Sequence, residues 1–536
     1  MSKKNYLKTA AFLTAALLLA SGLSAQDIND FLPFKPEAQR EFVIIDTPHQ
    51  YNLNPHEANY SQEAQFLTAL YEGLFAYNPY TLEPEPAIAK TYKISRDKKT
   101  WTITLKEGVC FSDGTPITAE TFKEAWLALL SPDAQAPFAS LLDCIKGAAD
   151  YRTGKAPAES VEIHANGNNL VLKLNAPTEQ LSKILCHHAF CAFNGDKNAF
   201  SGPFIIDEKE TTEDSYHFIK NEKYYDADKV ALPSIRIYLS GDIENNTFRY
   251  NTGEVDWVSS GLNAAHLYDS SSIVVSTEFG TEYLFFTADK APFDNADFRN
   301  ALLLAVPWNE LRQDAYIPAE TLILPLSTYP SVNGFSDTDI EAAKALMEGV
   351  DLKDGCTLTF AIPDNSYYKK QAEILKNSWE KLGITLETLI TEDYDYGENL
   401  RRLNADLYCY TWIGDFADPT AFLELFRGGS SLKETAWENA EFDALMEEAS
   451  RLTNPEKRYE KLAEAENLLL DEAVILPISH PIALNFIDLS SVGGWYSNAL
   501  DIHPFKYIYF NQKQTELPGF VMNIQRQSFA ENCKAF

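Results

Sequence analysis

Short apolar stretches with strand spacing and with helical spacing follow one another along the chain. Residues 42–46 form an apolar run typical of a strand, and Phe66, Leu70 and Leu74 recur at helical spacing within residues 61–74. Residues 101–105 alternate between apolar and polar side chains, as a half-buried strand does. These patterns predict a mixed α/β protein.

The order of elements is clearest after residue 356. Strands and helices alternate there, and a β-α-β-α-β succession implies a twisted sheet with helices packed on its faces. In open α/β sheets, ligands bind beyond the carboxyl ends of strands, so the turn that follows Trp412 is the first place to expect a site. The pattern predicts strands at 357–362, 384–390 and 406–412, and helices at 367–382, 396–403, 440–451 and 455–470, after which an apolar run follows at 473–477.

The N-terminus has the pattern of a secretory signal peptide. Three lysines lie within the first eight residues, the apolar run 10–20 follows, and small residues lead up to Ala25. We therefore predict that residues 1–25 are removed; a retained membrane anchor is the other interpretation. No later run approaches the roughly 20 apolar residues that a spanning helix needs. The first cysteine is Cys110, so we expect an exported, water-soluble protein without a lipid anchor.

Composition and charge exclude several classes of protein. The 536 residues include 45 Lys and Arg against 77 Asp and Glu, which gives a formal net charge of −32. Such an acidic chain is not a nucleic-acid binder. The sequence has no Gly-rich phosphate loop, no His-Glu-x-x-His helix and no Gly-x-Ser-x-Gly elbow. These absences favour a binding protein over an enzyme.

The seven cysteines do not define a site. Their odd number prevents complete pairing within one chain, and the sequence does not assign disulfide connectivity. Cys186 and Cys191 bracket His187 and His188, a cluster that a soft metal would suit. A closed metal site needs further ligands at defined spacing, and none follows, so the apolar segment 181–191 is better interpreted as a core element. We predict no metal and no cofactor.

Several motifs, in order along nearly the whole chain after the signal segment, resemble the extracellular solute-binding proteins of family 5. These proteins are the oligopeptide- and dipeptide-binding components of ABC importers. Each motif alone is weak, but their order and spacing together identify the sequence as a member of the family. The motifs include residues 71–74 (YEGL), 101–105 (WTITL), 111–119 (FSDGTPITA), 201–204 (SGPF), 249–256 (RYNTGEVD) and 291–301 (APFDNADFRNA).

The resemblance implies an α/β periplasmic-binding-protein fold of the two-lobed, hinged type (class II, cluster C), with an extra appended domain. It also implies a periplasmic protein, a monomer, that captures short peptides between two closing lobes and delivers them to the membrane permease of an ABC transporter. On this pattern, residues 27–58, 181–280 and 483–536 form lobe I, residues 59–180 form the appended domain and residues 281–482 form lobe III.

The resemblance also singles out Asp415 as the principal ligand-binding residue. In peptide-binding members, an aspartate three residues after a tryptophan, followed by an aromatic residue and an acidic-Pro pair, meets the ligand's α-ammonium. The segment 412–419, Trp-Ile-Gly-Asp-Phe-Ala-Asp-Pro, reproduces this arrangement and includes Gly414 in the turn. The other interpretation is that Asp415 caps the following helix, a role that Asp418, just before Pro419, fits better.

Two further parts of the pattern bear on ligand binding. Trp412 either floors a side-chain pocket or belongs to the core. The loop before the first helix supplies backbone groups to the peptide in family members, and Asn59, Tyr60 and Ser61 occupy the matching positions. A basic residue present just before the tryptophan in some oligopeptide binders is absent here, where the segment reads Tyr-Cys-Tyr-Thr-Trp412, so anchoring of the ligand carboxylate stays open.

Two other functions remain open. One keeps the family and changes the ligand, because relatives bind nickel chelates, haem, oligosaccharides or opines. The other is a secreted hydrolase, which requires a nucleophile and a general base that the sequence does not reveal. An aspartate at position 415 favours a ligand that carries an amine.

Overall fold

A computed structural model describes residues 40–511, apart from 351, 353–355, 393–395 and 397–399. The predicted signal segment and Cys533 lie outside the described residues. The strands are β1 (Phe42–Asp46), β2 (Phe75–Tyr77), β3 (Pro84–Pro86), β4 (Ala89–Ile94), β5 (Thr100–Leu105), β6 (Ile163–Asn166), β7 (Asn169–Lys173), β8 (Phe204–Ile206), β9 (Ser215–Lys220), β10 (Ser234–Leu239), β11 (Trp257–Val258), β12 (Ile273–Thr277), β13 (Gly280–Phe286), β14 (Cys356–Pro363), β15 (Ile384–Thr391), β16 (Leu407–Ile413), β17 (Ile475–Ser479), β18 (Ile482–Ile487), β19 (Val492–Gly493) and β20 (Tyr509–Phe510).

The α-helices connect these strands and cover the sheets. They are α1 (Ser61–Leu70), α2 (Ala119–Leu129), α3 (Ala148–Arg152), α4 (Leu181–Ile184), α5 (Ile243–Thr252), α6 (Ala296–Leu304), α7 (Trp308–Leu311), α8 (Ile340–Met347), α9 (Ser366–Trp379), α10 (Thr420–Leu423), α11 (Ala440–Arg451) and α12 (Pro455–Asp471).

A seven-stranded sheet is assembled from three distant parts of the chain. Its order is β12-β18-β11-β1-β10-β9-β8. Strand β1 lies in the middle and runs parallel to both β10 and β11, while β18 enters from the C-terminal part and pairs antiparallel with β11 and β12. Residues 42–46, 204–277 and 482–487 therefore share one sheet.

A five-stranded sheet of order β15-β14-β16-β13-β17 contains the three strands of the predicted β-α-β-α-β unit. Strand β14 runs parallel to β15 and to β16, and α9 crosses between β14 and β15. Strand β13 then pairs antiparallel with both β16 and β17, which makes the sheet mixed. A third, antiparallel sheet of order β4-β5-β7-β6 packs against α2.

The chain passes between the two large sheets at two adjacent places. Strand β12 ends at Thr277 and β13 begins at Gly280, while β17 ends at Ser479 and β18 begins at Ile482. The backbone N–H of Glu278 donates to the carbonyl of Pro481 at 3.0 Å, so the two connections lie side by side. Paired short connections between two sheets are the arrangement of a hinge.

The predicted elements agree with the structure, with shifts at their ends. The strand at 42–46 and the helix at 440–451 are found with those bounds, and the apolar run at 473–477 leads into β17. The helix predicted at 61–74 ends at Leu70, because Tyr71 is extended. The helix predicted at 367–382 is α9 followed by one 3-10 turn that stops at Gly383, whose φ is +77°.

Other sequence predictions fare differently. Much of the short helix predicted at 396–403 lies outside the described residues, and a 3-10 turn spans Leu400–Arg402. The predicted domain bounds stay a prediction. Most of the segment 181–191 is buried as expected, and Cys110, Cys144, Cys186, Cys191 and Cys356 are free thiols. Among the residues that the structure describes, no helix is long and apolar enough to cross a membrane.

Candidate functional site

All six predicted site residues line one cavity of about 290 Å³ beyond the carboxyl end of β16. The cavity lies between the two sides of the paired connections. One side contributes the start of α1, residues 186–188 and residues 500–502, and the other contributes residues 410–415. The predicted residues are Asn59, Tyr60, Ser61, Trp412, Gly414 and Asp415.

The Asp415 carboxylate lies in this cavity without a hydrogen-bond partner for Oδ2 among the described residues. Its side chain is 10% exposed, and Oδ1 lies 3.7 Å from Nε2 of His187, too far for a hydrogen bond. Burial raises the pKa of Asp415 well above its usual range. No hydrogen bond from the following helix reaches this carboxylate in the described part of the chain, so Asp415 does not cap α10.

His187 does not supply a positive charge to Asp415. Burial, aided by the neighbouring His188, holds the pKa of His187 well below its ordinary value, so this ring is neutral at physiological pH. The two imidazoles lie 4.0 Å apart between centroids, and burial lowers the pKa of His188 to about 4. The sequence interpretation of segment 181–191 as core was right about burial but missed that His187 reaches the cavity.

Asp418 has the capping role that the sequence predicted. Its Oδ1 accepts hydrogen bonds from the backbone N–H of Thr420 at 3.0 Å and from the Thr420 hydroxyl at 2.7 Å. The same carboxylate also accepts hydrogen bonds from both terminal nitrogens of Arg458, at 2.7 and 2.8 Å. Both side chains are 6% exposed. Burial alone would raise the pKa of Asp418, but Arg458 outweighs it and holds that pKa below its usual value.

Gly414 allows the turn to pass close to the neighbouring connection. Its N–H donates to the carbonyl of Phe279 at 2.7 Å, and a Cβ at this position would lie 2.8 Å from Cδ1 of the Phe279 ring. Only glycine fits this distance without displacing the ring. Strand β16 and this contact together fix the position of Asp415, the next residue along the chain.

Trp412 is buried and also lines the cavity, and its contact with a ligand stays a prediction. Its indole N–H donates to the carbonyl of Ala421 at 2.9 Å, and the side chain is 8% exposed, as in a core residue. The ring also lines the cavity and stacks on Tyr410, with an interplanar angle of 12°. Tyr77 and Phe138, which the sequence did not identify, add two more rings to the lining.

The loop at residues 59–61 is held by Glu63 of α1. The Glu63 carboxylate accepts the backbone N–H of Asn59 at 2.9 Å and that of Tyr60 at 3.1 Å. These two N–H groups are therefore used within the loop. A ligand could therefore bind only the other backbone groups of this loop and its side chains, so the prediction that the loop offers backbone groups applies to those groups alone.

A larger cavity of about 450 Å³ lies behind Phe416, between residues 140–184 and 416–458. Most of its charged side chains already have ion-pair partners, for example Arg427 with Glu424 and Arg458 with Asp418. The cavity at Asp415 is the better candidate for a site because it contains a buried carboxylate with an unsatisfied oxygen.

The paired connections between two α/β sheets, with a lined cavity between them, define a periplasmic binding protein of the cluster C type with several sheets. Residues 83–434, more than half of the chain, match the bacterial extracellular solute-binding proteins, family 5, in their middle region. The chain belongs to this family. It is a family 5 substrate-binding protein of an ABC importer and, as the sequence predicted, a member of a non-enzymatic family.

Individual relatives span nearly the whole chain. The oligopeptide-binding protein OppA of Bacillus subtilis is 29% identical over 517 residues, covering 89% of this chain and 94% of that protein. An Escherichia coli protein named "Probable deoxycholate-binding periplasmic protein YgiS" is 27% identical and covers 92% of this chain and 96% of its own. The structure of the Escherichia coli murein tripeptide binding protein MppA superposes with a TM-score of 0.79 at 22% identity, covering 88% of this chain and 99% of that chain.

Proposed function

We propose that this protein captures short peptides in the periplasm and delivers them to the membrane permease of an ABC importer, with Asp415 binding the α-ammonium of the peptide. The observation that supports this proposal is the Asp415 carboxylate, which faces a cavity with one oxygen unsatisfied and no cationic side chain beside it in the described part of the chain. A buried carboxylate of this kind needs a partner to stay ionised.

A peptide amino terminus supplies what Asp415 lacks. An ammonium carries one positive charge and three N–H donors, and hydrogen bonds between ionised groups are about twice as strong as neutral ones. The aromatic rings of Tyr77, Tyr410 and Trp412 surround the same cavity, so ligand side chains meet apolar walls. The Asn59 and Ser61 side chains and the loop carbonyls contact the remaining parts of the peptide.

The position of the cavity gives a means of capture by closure. Residues on both sides of the paired connections line it, so a ligand that touches both sides stabilises the closed arrangement relative to the open one. Export through the predicted signal segment, a periplasmic location and a monomeric state complete the proposal. The names of relatives such as the oligopeptide-binding protein OppA support a peptide ligand.

Native mass spectrometry, followed by denaturing mass spectrometry, tests the ligand class directly on protein purified from the periplasm without refolding. We expect a family of small bound masses that fragment as peptides. A single non-peptide mass, or a metal, would overturn the peptide proposal while keeping the family.

Asp415→Asn tests the proposed anchor. Removing one partner of a desolvated charge pair costs about 2–5 kcal/mol, so we expect peptide affinity in calorimetry to fall by at least about 30-fold. Glu466→Gln is the matched control, because burial also raises the pKa of Glu466, to about 7, yet this residue does not line the cavity. Unchanged affinity in Asp415→Asn would refute the assignment.

A non-peptide ligand is the second candidate, and the aromatic lining favours it. Five rings face the cavity, which suits a rigid apolar molecule as well as a peptide. The name of the relative described as a probable deoxycholate-binding protein also supports this second candidate. In that case Asp415→Asn would leave affinity unchanged, whereas Trp412→Ala would abolish binding. The five rings are those of Tyr60, Tyr77, Phe138, Tyr410 and Trp412.

A further inference from the structure

A second cavity adjoins the cavity at Asp415. This neighbouring cavity has a volume of about 340 Å³ and shares Leu400 and Glu434 with the first. Trp412 and Tyr410 line the first cavity, and Tyr408, two residues further back on the same face of β16, lines the second. The two adjoining cavities, together called the cleft below, therefore follow β16 away from Asp415.

Lys433 lies at the far part of this cleft. Its side chain is only 11% exposed, and its nearest ion-pair partner, Oε1 of Glu438, is 3.9 Å away on a side chain that is 82% exposed. No hydrogen bond to the Lys433 ammonium is found among the described residues. Burial lowers the pKa of Lys433, against the smaller opposing influence of Glu438 and Asp443.

Lys433 offers a positive charge in a cavity whose lining also contains the acidic side chain of Glu434. In the described lining of both cavities, Lys433 is the one Lys or Arg side chain. The hydroxyl of Thr287, which lines the same cavity, also lacks a hydrogen-bond partner in the structure as described. A partly desolvated ammonium with three unused donors gains most from a charged acceptor such as a carboxylate.

We propose that Lys433 binds the C-terminal carboxylate of the peptide whose amino terminus Asp415 binds. This inference rests on the proposed peptide-binding function. It assigns the carboxylate anchor, which the sequence left open, to a residue about 20 positions after Trp412 and not to one just before it. The two ends of the ligand then meet opposite charges at opposite ends of one cleft.

The strand spacing sets the length of the ligand. Tyr408 and Trp412 are four residues apart on β16, about 13 Å at the usual rise of about 3.3 Å per residue. An extended peptide advances by nearly the same distance per residue. A ligand that lies along β16 from Trp412 to Tyr408, with Asp415 and Lys433 at its two ends, therefore has at least about four residues.

Calorimetry with four probes tests the inference: tetra-alanine, its C-terminal amide, its N-acetyl derivative and dialanine. We expect the wild-type protein to bind tetra-alanine about 10- to 100-fold more tightly than the amide, because amidation removes the anion. Lys433→Met loses this preference and binds the acid and the amide equally, while Lys433→Arg retains it. Dialanine is too short to reach both anchors and binds more weakly than tetra-alanine.

Lys106→Met is the matched control. Burial also lowers the pKa of Lys106, but this side chain lies in a different cavity, beside Tyr225. The control should keep the preference for the acid. If the wild-type protein binds acid and amide equally, or if Lys433→Met keeps the preference, the Lys433 assignment is wrong. Failure of the proposed function looks different, because then tetra-alanine does not bind or N-acetylation has no effect.

Discussion

The hydroxyl of Tyr77 donates a hydrogen bond of 2.9 Å to the backbone carbonyl of Asp415. Tyr77 precedes the first of the paired connections between the large sheets, and Asp415 lies between the two connections in sequence. This contact therefore joins the two sides of the cleft at the residue proposed to bind the ligand. It holds the turn at 414–418 in place from the opposite side.

Tyr77→Phe should weaken ligand binding without unfolding the protein. The phenylalanine keeps the packing of the ring and removes one hydrogen bond, which contributes about 0.5–1.5 kcal/mol. We expect affinity to fall about two- to tenfold, mainly through faster dissociation measured by stopped-flow tryptophan fluorescence. Tyr80→Phe, at a side chain that is 71% exposed on the same segment, should change nothing. Equal dissociation rates in all three proteins would show that the contact does not hold the cleft closed.

Asp415→Asn should stabilise the ligand-free protein at neutral pH. The folded-state pKa of Asp415 lies above the unfolded value of 3.8, so the folded protein binds more protons between these two values. Its stability therefore falls as pH rises through this window, by about 1.4 kcal/mol per pH unit. The variant does not titrate there, and its advantage should be absent below pH 3.8 and grow above it. Chemical unfolding at pH 3.5 and pH 7 measures the difference; a variant less stable than wild type at pH 7 contradicts this expectation.

Arg458→Met should strongly destabilise the part of the protein that contains the five-stranded sheet. Loss of Arg458 leaves the Asp418 carboxylate buried without its charge partner, at a cost of about 3–5 kcal/mol. The matched control is Arg451→Met, which breaks the ion pair with Glu447 between side chains 64% and 65% exposed and should cost less than about 1 kcal/mol. Thermal unfolding followed by circular dichroism compares them, and similar melting temperatures would rule out a stabilising buried pair.

Gly414→Ala should lower both stability and ligand affinity. The added Cβ would lie 2.8 Å from the Phe279 ring, and overpacking of this kind costs about 1–3 kcal/mol. If the turn shifts to relieve this close contact, Asp415 moves with it, and ligand affinity falls. Gly349→Ala provides the control, since a Cβ there meets only the Leu346 carbonyl, at 3.6 Å. Calorimetry and thermal unfolding on both variants check the prediction; a stable Gly414→Ala protein with full affinity would contradict it.

Periodicity was sufficient for the elements that pack with a regular pattern. The strand at 42–46 and the helix at 440–451 were predicted with their observed bounds. The strand is a continuous apolar run because Phe42 and Ile44 pack in one core and Ile45 in another, and the helix buries Phe442, Met446 and Ala449 at helical spacing. The helix predicted at 61–74 was too long. Leu74 is buried, but it lies in the segment after the helix, which ends at Leu70. Apolar spacing does not distinguish these two ways of being buried.

The residues of the candidate site that belong to a sequence motif could be predicted. The residues that reach the cavity only through the fold were missed. The turn after Trp412 and the loop at 59–61 meet at one cavity, as the resemblance implied. His187, Tyr77 and Lys433 come from segments whose sequence shows no ligand-binding pattern, and they reach the cleft only through tertiary packing. The use of the Asn59 and Tyr60 N–H groups by Glu63 likewise depends on side-chain direction that spacing alone does not fix.

The assembly of the seven-stranded sheet constrains the order in which this protein can fold. Strand β1 forms near the start of the chain, yet β18, which completes the pairing of β11 and β12, follows only after residue 481. Gln65 on α1 and His503 exchange two hydrogen bonds across 438 residues of sequence. Contacts of such separation form late and slowly. A chain shortened before residue 482 therefore leaves open strand edges exposed to aggregation, and the first sheet reaches its final form only once residues 482–487 have joined it.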